Sequence, residues 1–255
     1  MIKTENKKEI IDTVIERINN LFPDIEFNEW IRKNVLKSTG QRLESVSSKY
    51  KLFEIPFDKK IAKYVAKKLG ITEEEVLAMW DAKAKASTDA GKEAHTFSED
   101  YIKSERKLLP LTDHQKGIVE FFQDHPNYIV LAQELTIYNK TLLYMGILDL
   151  LVYDIENDKF IIVDWKTNDD IYKNHKKQKL LEPFTDMLQC PANLYKIQLN
   201  LYDMCFEDVE FPIEGRLIVW LKKNEETEKY YQIIEAEDLK PKLKEYYVSN
   251  SRTYL

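Results

Sequence analysis

The 255-residue sequence predicts an α/β protein with a mixed central sheet flanked by helices and a helical N-terminal region. Three observations carry this. Apolar residues recur at helical spacing through most of the first half. After Asn127 come three runs rich in Ile, Leu, Val and Tyr, separated by turn-forming residues. Helical and strand-like stretches then alternate to the C-terminus.

Residues 9–21 set Ile10, Ile11, Val14, Ile18 and Leu21 at helical spacing, and Pro23 closes that helix. Residues 57–69 repeat the pattern and end at Gly70. Thr72-Glu73-Glu74-Glu75 is a capping-box start, in which the threonine hydroxyl and the third glutamate each satisfy a backbone amide of the first turn. That helix is expected to run through Trp80 toward Ala86, with Ser87 or Thr88 capping a separate helix that continues to about Lys107. Residues 112–123 read as one more helix, ahead of Pro126. The chain is therefore expected to form one domain, helical over about 1–86 and with its core over about 87–255. In that core, residues 128–138, 141–153 and 159–165 read as an antiparallel meander, broken by Asn139-Lys140 and Glu156-Asn157-Asp158. A helix is expected over about 186–206, then strands at 215–221 and 230–234, and a C-terminal helix from near Leu239.

Composition narrows the function classes. The chain is 44% hydrophobic and 32% charged, which suits a globular protein. No apolar run approaches the roughly 18–20 residues needed to span a bilayer, so no membrane partner is expected. The basic start, Lys3 to Lys8, has no long apolar stretch behind it, and a signal peptide is not expected. Cys190 and Cys205 are too few for a disulfide framework, a four-cysteine zinc site or a cysteine-ligated iron–sulfur cluster. A reducing cytoplasm is the expected location. A net charge of −6 argues against non-specific coating of nucleic acid. A local basic patch is compatible with gripping it, and Lys173, Lys176, Lys177 and Lys179 form a candidate. Their other reading is a solvated basic loop.

Charges that interrupt apolar runs are the main chemical signal. Asp149 ends Met145-Gly146-Ile147-Leu148-Asp149, and Asp164-Trp165-Lys166 ends the run from Phe160. Alternation puts Asp164 and Lys166 on one face of a strand and Trp165 on the other. If the two runs pair, two carboxylates and an ammonium meet at one end of a buried sheet, a costly placement unless they hold something. Hard carboxylate oxygens suit Mg²⁺ or Mn²⁺. A nearby lysine can orient or help deprotonate a metal-bound water, or offset charge growing on a phosphate. The set fits phosphodiester hydrolysis.

These residues carry a family resemblance. Gly146-Ile147-Leu148-Asp149 with Asp164-Trp165-Lys166-Thr167 resembles the signature of the PD-(D/E)XK nuclease superfamily, and more narrowly its RecB-type branch of phage and repair exonucleases. Gly91-Lys92-Glu93-Ala94-His95 with Glu99 resembles that branch's helical G-x-x-x-H…E element, and Gln198-Leu199-Asn200-Leu201-Tyr202, preceded by Tyr195, its Q-x-x-x-Y motif. The likeness covers residues 91–205. It implies a restriction-endonuclease-like core and a deoxyribonuclease of recombination, repair or phage DNA processing. One or two Mg²⁺ or Mn²⁺ ions would be held by His95, Asp149, Asp164 and the Trp165 carbonyl, with Asp149, Asp164 and Lys166 catalytic. Gln198, Tyr202, Lys173, Lys176 and Lys177 would hold DNA, and Glu99 and Tyr195 would support the site. Apart from the resemblance, Glu134 on the first strand of the meander is a further acidic candidate for it. The histidine hints that Mn²⁺ is accepted well.

Two features set the chain apart from some of those relatives. It lacks the cysteines for the iron–sulfur cluster that several carry, and it has no Walker motif, so a helicase or recombination partner would be another chain. Arg is scarce against Lys, which weakens any case for bidentate base reading. Taken singly, each residue also has a plainer reading. Asp149 suits a salt bridge, Asp164 and Lys166 a cross-strand pair, His95 a core or surface position, Glu99 a helix surface, and Gln198 and Tyr202 capping and packing. Two further functions stay open: an inactive nucleic-acid-binding or scaffold protein that keeps the fold, and a nuclease acting on RNA.

Overall fold

The computed structural model describes residues 4–174 and 177–250, and for residues 4–10 it describes the backbone alone. Helix α1 (Thr4–Asn19) leads into a hairpin of two short strands, β1 (Glu26–Asn28) and β2 (Lys33–Val35). Strand β3 (Glu44–Ser45), helix α2 (Val46–Tyr50), a 3₁₀ turn (Lys51–Phe53) and helix α3 (Ile61–Leu69) follow. These short strands stand beside the helices expected of the N-terminal region, which is otherwise mostly helical. Strands of two or three residues carry no alternation long enough to read, and β3 exists through its pairing with residues about 100 positions away. Helix α3 starts four residues later than expected, and Phe57 instead sets its ring edge-on against Trp80. Gly70 caps α3 in the left-handed conformation, where glycine pays no Cβ penalty.

Helix α4 (Glu73–Lys103) opens with the expected capping box, both bonds of which are present. The break expected at Ser87 or Thr88 does not occur. Thr88 turns its hydroxyl back onto the Ala84 carbonyl, which absorbs a potential capping group into the helix. The boundary expected near residue 86 therefore runs through an unbroken helix of about 46 Å. Helix α5 (Asp113–Asp124) carries a second capping box, from Thr112 and Gln115.

Strands β4 (Tyr128–Asn139), β5 (Tyr144–Asp154) and β6 (Lys159–Lys166) form an antiparallel meander. Helix α6 (Pro191–Glu207) begins five residues later than expected, at a proline whose missing N–H costs nothing in the first turn. It crosses to β7 (Gly215–Trp220), which lies parallel to β6, and β8 (Gln232–Glu235) closes that edge antiparallel. Helix α7 (Lys240–Asn250) ends the described chain. The result is a mixed α/β fold with one six-stranded sheet. Strand β4 runs along one edge of β5, while β3 and β6 share the other and, among the described residues, leave 146–149 without a strand partner on that edge.

Alternation along β6 divides the core. Ile161, Val163 and Trp165 face α4 and α5, where Trp165 packs edge-on against Phe121 with ring centres 5.2 Å apart. Ile162 faces the opposite layer, with Ile197 and Leu201 of α6. Ile18 of α1 and the following Phe22 join that same layer, so the N-terminal helix belongs to the main core. Tyr138 and Tyr144 are fully buried there, and Tyr144 donates its hydroxyl proton to the Leu201 carbonyl at 2.7 Å. No helix among the described residues is long and apolar enough to cross a membrane.

Candidate metal centre

The site forms where β5 and β6 part. Their pairing ends at Leu150 opposite Val163, one step short of setting Asp149 opposite Asp164. Instead, the Asp149 side chain accepts the Trp165 N–H at 2.7 Å, so a carboxylate stands in for a ladder carbonyl. Both aspartates are buried. On the other edge of β5 the β4 ladder skips Glu134, the residue level with Asp149. Glu134 sits at a φ of +46°, in the left-handed region. That costs a non-glycine residue roughly 1–3 kcal/mol and tends to persist only where the surroundings enforce it.

His95, on α4, reaches this level from above the sheet. Its Nδ1 lies 3.1 Å from Glu134 Oε1 and 3.5 Å from Asp149 Oδ1. One ligand atom from each of His95, Glu134 and Asp149 falls within 4.8 Å of the others. Neighbouring Ala94 is buried against the sheet and anchors this turn of α4.

Lys166 completes the constellation. Its Nζ stands 2.6 Å from Asp164 Oδ2 and 4.4 Å from the centre of the Tyr195 ring. The Tyr195 hydroxyl donates to Asn168 Oδ1 at 3.0 Å, which fixes that ring. Burial opposes the lysine's charge, but the carboxylates of Asp164 and Asp149 more than offset it and raise its pKa. Burial, then the charge of Asp164, pushes the Asp149 carboxyl up to about 7, against the pull of His95, Lys166 and the Trp165 amide. For His95, burial works against protonation, yet Glu134 and Asp149 outweigh it and the pKa rises. Among the described residues, the buried Asp164 Oδ2 atom has no aligned hydrogen-bond donor, although it touches the ammonium.

Gln198 and Tyr202 lie one turn apart on α6 and are bonded to each other, Nε2 to the phenol oxygen, at 2.9 Å. The Tyr202 hydroxyl donates to the Ile147 carbonyl at 2.9 Å, and the ring is buried. The pair therefore braces β5 where its β3/β6 edge is open. Glu99 is turned to Lys103, at 2.9 Å on the same helix, and stands apart from the His95 cluster. Trp165 enters through its N–H to Asp149. Lys173 and Lys177 are exposed, while His175 and Lys176 lie outside the described residues. The sequence marked Glu134 only as a possible support, and its contact with His95 depends on a ladder irregularity that nothing local announces. Asn168 carries no sequence signal beyond its closeness to Lys166.

One imidazole and two carboxylates placed this way could hold a metal ion. No protein-family model matches the chain, and no curated protein matches it significantly.

Proposed function

We propose that the protein is a metal-dependent nuclease of the PD-(D/E)XK kind that hydrolyses DNA phosphodiester bonds. The observation that carries this reading is the convergence of His95, Glu134 and Asp149 beside the Asp164–Lys166 pair where β5 and β6 separate. His95, Glu134 and Asp149 would hold the ion, with Asp164 at its flank. A divalent cation there supplies a Lewis acid for phosphate oxygens and a water of lowered pKa. Lys166 keeps its proton between Asp164 and Asp149, so it acts as a charged donor toward phosphate oxygens rather than as a base. Tyr195 and Asn168 keep the ammonium aimed. Gln198 and Tyr202 act through the backbone of residues 146–149, which carries Asp149. In-line attack of water on phosphorus would leave a 5′-phosphate and a 3′-hydroxyl.

The test is cleavage of end-labelled linear and circular DNA with Mn²⁺ or Mg²⁺. Lys166→Ala should lower the rate by roughly 10²-fold or more, the usual cost of removing a charge-stabilising donor, with unchanged circular dichroism. Wild-type rates in that variant would overturn the mechanism. A wild-type chain that binds DNA in EDTA, takes up no Mn²⁺ by calorimetry and never cuts would instead be a binding protein.

A further inference from the structure

The basic charge of this acidic chain is concentrated in one segment. Residues 32–68 hold eleven Lys and Arg against three Asp and Glu, a net +8 within a total of −6. Part of this segment lines a groove of about 480 Å³ between the β1–β2 hairpin, β3 and α2. Arg32, Lys33 and Arg42 point their chemistry into it together with the hydroxyls of Ser45 and Ser48. None of those three cations forms an ion pair among the described residues, whereas Glu44, also in the lining, is neutralised by Lys49 at 2.9 Å.

The same groove carries exposed aromatic surface. Phe27 forms part of its wall and is 52% exposed, and Trp30 at the hairpin turn is 92% exposed. The turn is built to hold this display: Asn28 Oδ1 accepts the backbone N–H groups of both Trp30 and Ile31, at 3.1 and 3.2 Å. The groove also leads to the metal centre. Met145 in its lining lies four residues before Asp149 on β5, about 13 Å along a strand. On the edge that β3 and β6 share, the stretch between has no strand partner among the described residues, and Ile147 within it is half-exposed. Val46 of α2 packs at Gly146, and Tyr50 at the end of α2 is within electrostatic reach of Lys166 and Asp164.

We propose that this groove binds a single strand of nucleic acid, with phosphates on Arg32, Lys33 and Arg42 and unpaired bases stacked on Trp30 and Phe27, and that it feeds the strand along β5 to the metal centre. Positive charge alone would serve a duplex equally well. Exposed aromatic faces favour an unpaired strand, because a duplex keeps its base faces stacked on one another. The feeding step rests on the nuclease reading; the binding step does not.

The experiment measures anisotropy of a fluorescein-labelled oligothymidine, and of a duplex of equal length, bound to the full chain in EDTA. The single strand should bind more tightly than the duplex. Trp30→Ala should weaken it by roughly tenfold, in keeping with the loss of one stacking platform. Arg32→Ala with Arg42→Ala should flatten the dependence of log K on log salt by roughly 1.4, about 0.7 for each lost phosphate contact. Duplex binding as tight as single-strand binding overturns the proposal, as does wild-type affinity and salt slope in the folded variants. A chain that binds through these residues yet never cuts with Mn²⁺ overturns the nuclease reading alone. One that cuts while binding independently of them overturns the groove alone.

Discussion

Gly146 and Tyr202 are shaped to each other, since a Cβ on residue 146 would lie 2.4 Å from Tyr202 Cε1, a distance at which something must move. The glycine lets the ring lie against the backbone of β5, and the hydroxyl then secures the Ile147 carbonyl two residues before Asp149. Tyr202→Phe leaves that carbonyl without this donor, and urea unfolding should show a loss of about 1–2 kcal/mol with the fold kept. Gly146→Ala should cost about 1–3 kcal/mol by overpacking, and more of its effect should fall on Mn²⁺ affinity than on secondary structure. Stability equal to wild type in both variants would remove Tyr202 from this positioning role. Of the residues at the centre, Asp149, Asp164 and Lys166 are legible in sequence because a charge inside an apolar run has few ordinary explanations. His95 is visible only through the motif around it. Glu134 is not legible as a ligand, because its aim comes from a left-handed backbone that only the surrounding sheet imposes.

At the scale of elements, the turn joining β5 to β6 is organised by one carboxylate. Asp154 accepts from Asn157 Nδ2 at 2.7 Å, Asn127 Nδ2 at 2.6 Å and the Glu156 N–H at 3.1 Å. Burial resists its ionisation, but these donors outweigh it and hold the pKa below its ordinary value of 3.8. A carboxyl depressed in the folded state stabilises fully above the unfolded value, and that contribution is lost as pH falls through the folded one. The stability gap between the wild type and Asp154→Asn should thus be widest near about pH 7 and close toward about pH 3. Urea midpoints that fall in parallel over that range would contradict it. The meander was readable because Asn and Asp mark its turns and alternation marks its strands. The fusion of two expected helices into α4 was not, because Thr88 suits a cap and a helix interior alike until tertiary context chooses.

For the whole molecule, charge is strongly divided: residues 32–68 carry +8, leaving −14 on the remainder. The candidate metal centre lies on β4, β5, β6 and α4, outside that basic segment, and its Asp149 and Asp164 are buried. An ion that binds the folded chain and not the unfolded one must raise the melting temperature. At a free Mn²⁺ concentration a hundredfold above Kd the stabilisation should be about 2.7 kcal/mol, and His95→Ala should abolish most of it. A melting temperature indifferent to Mn²⁺ would argue against an ion at His95, Glu134 and Asp149. The groove escaped motif reading because its residues are spread over a hairpin, a strand and a helix, with no compact signature. A charge count over the 37 residues does carry the signal, eleven cations to three acids.

By itself the sequence determined the local matters: which runs alternate, where capping boxes and turns fall, and which charges interrupt apolar strands. These follow from interactions within a few residues, where propensity and periodicity act. Only the tertiary structure decided that β5 and β6 part at Asp149, that β4 skips Glu134 to meet His95, and that the β1–β2 hairpin and α2 form a groove beside β5. Each depends on pairing and packing between segments tens to more than a hundred residues apart. There the cost of one strained or unpaired residue is borne by the packing of the whole sheet, and no local pattern records it.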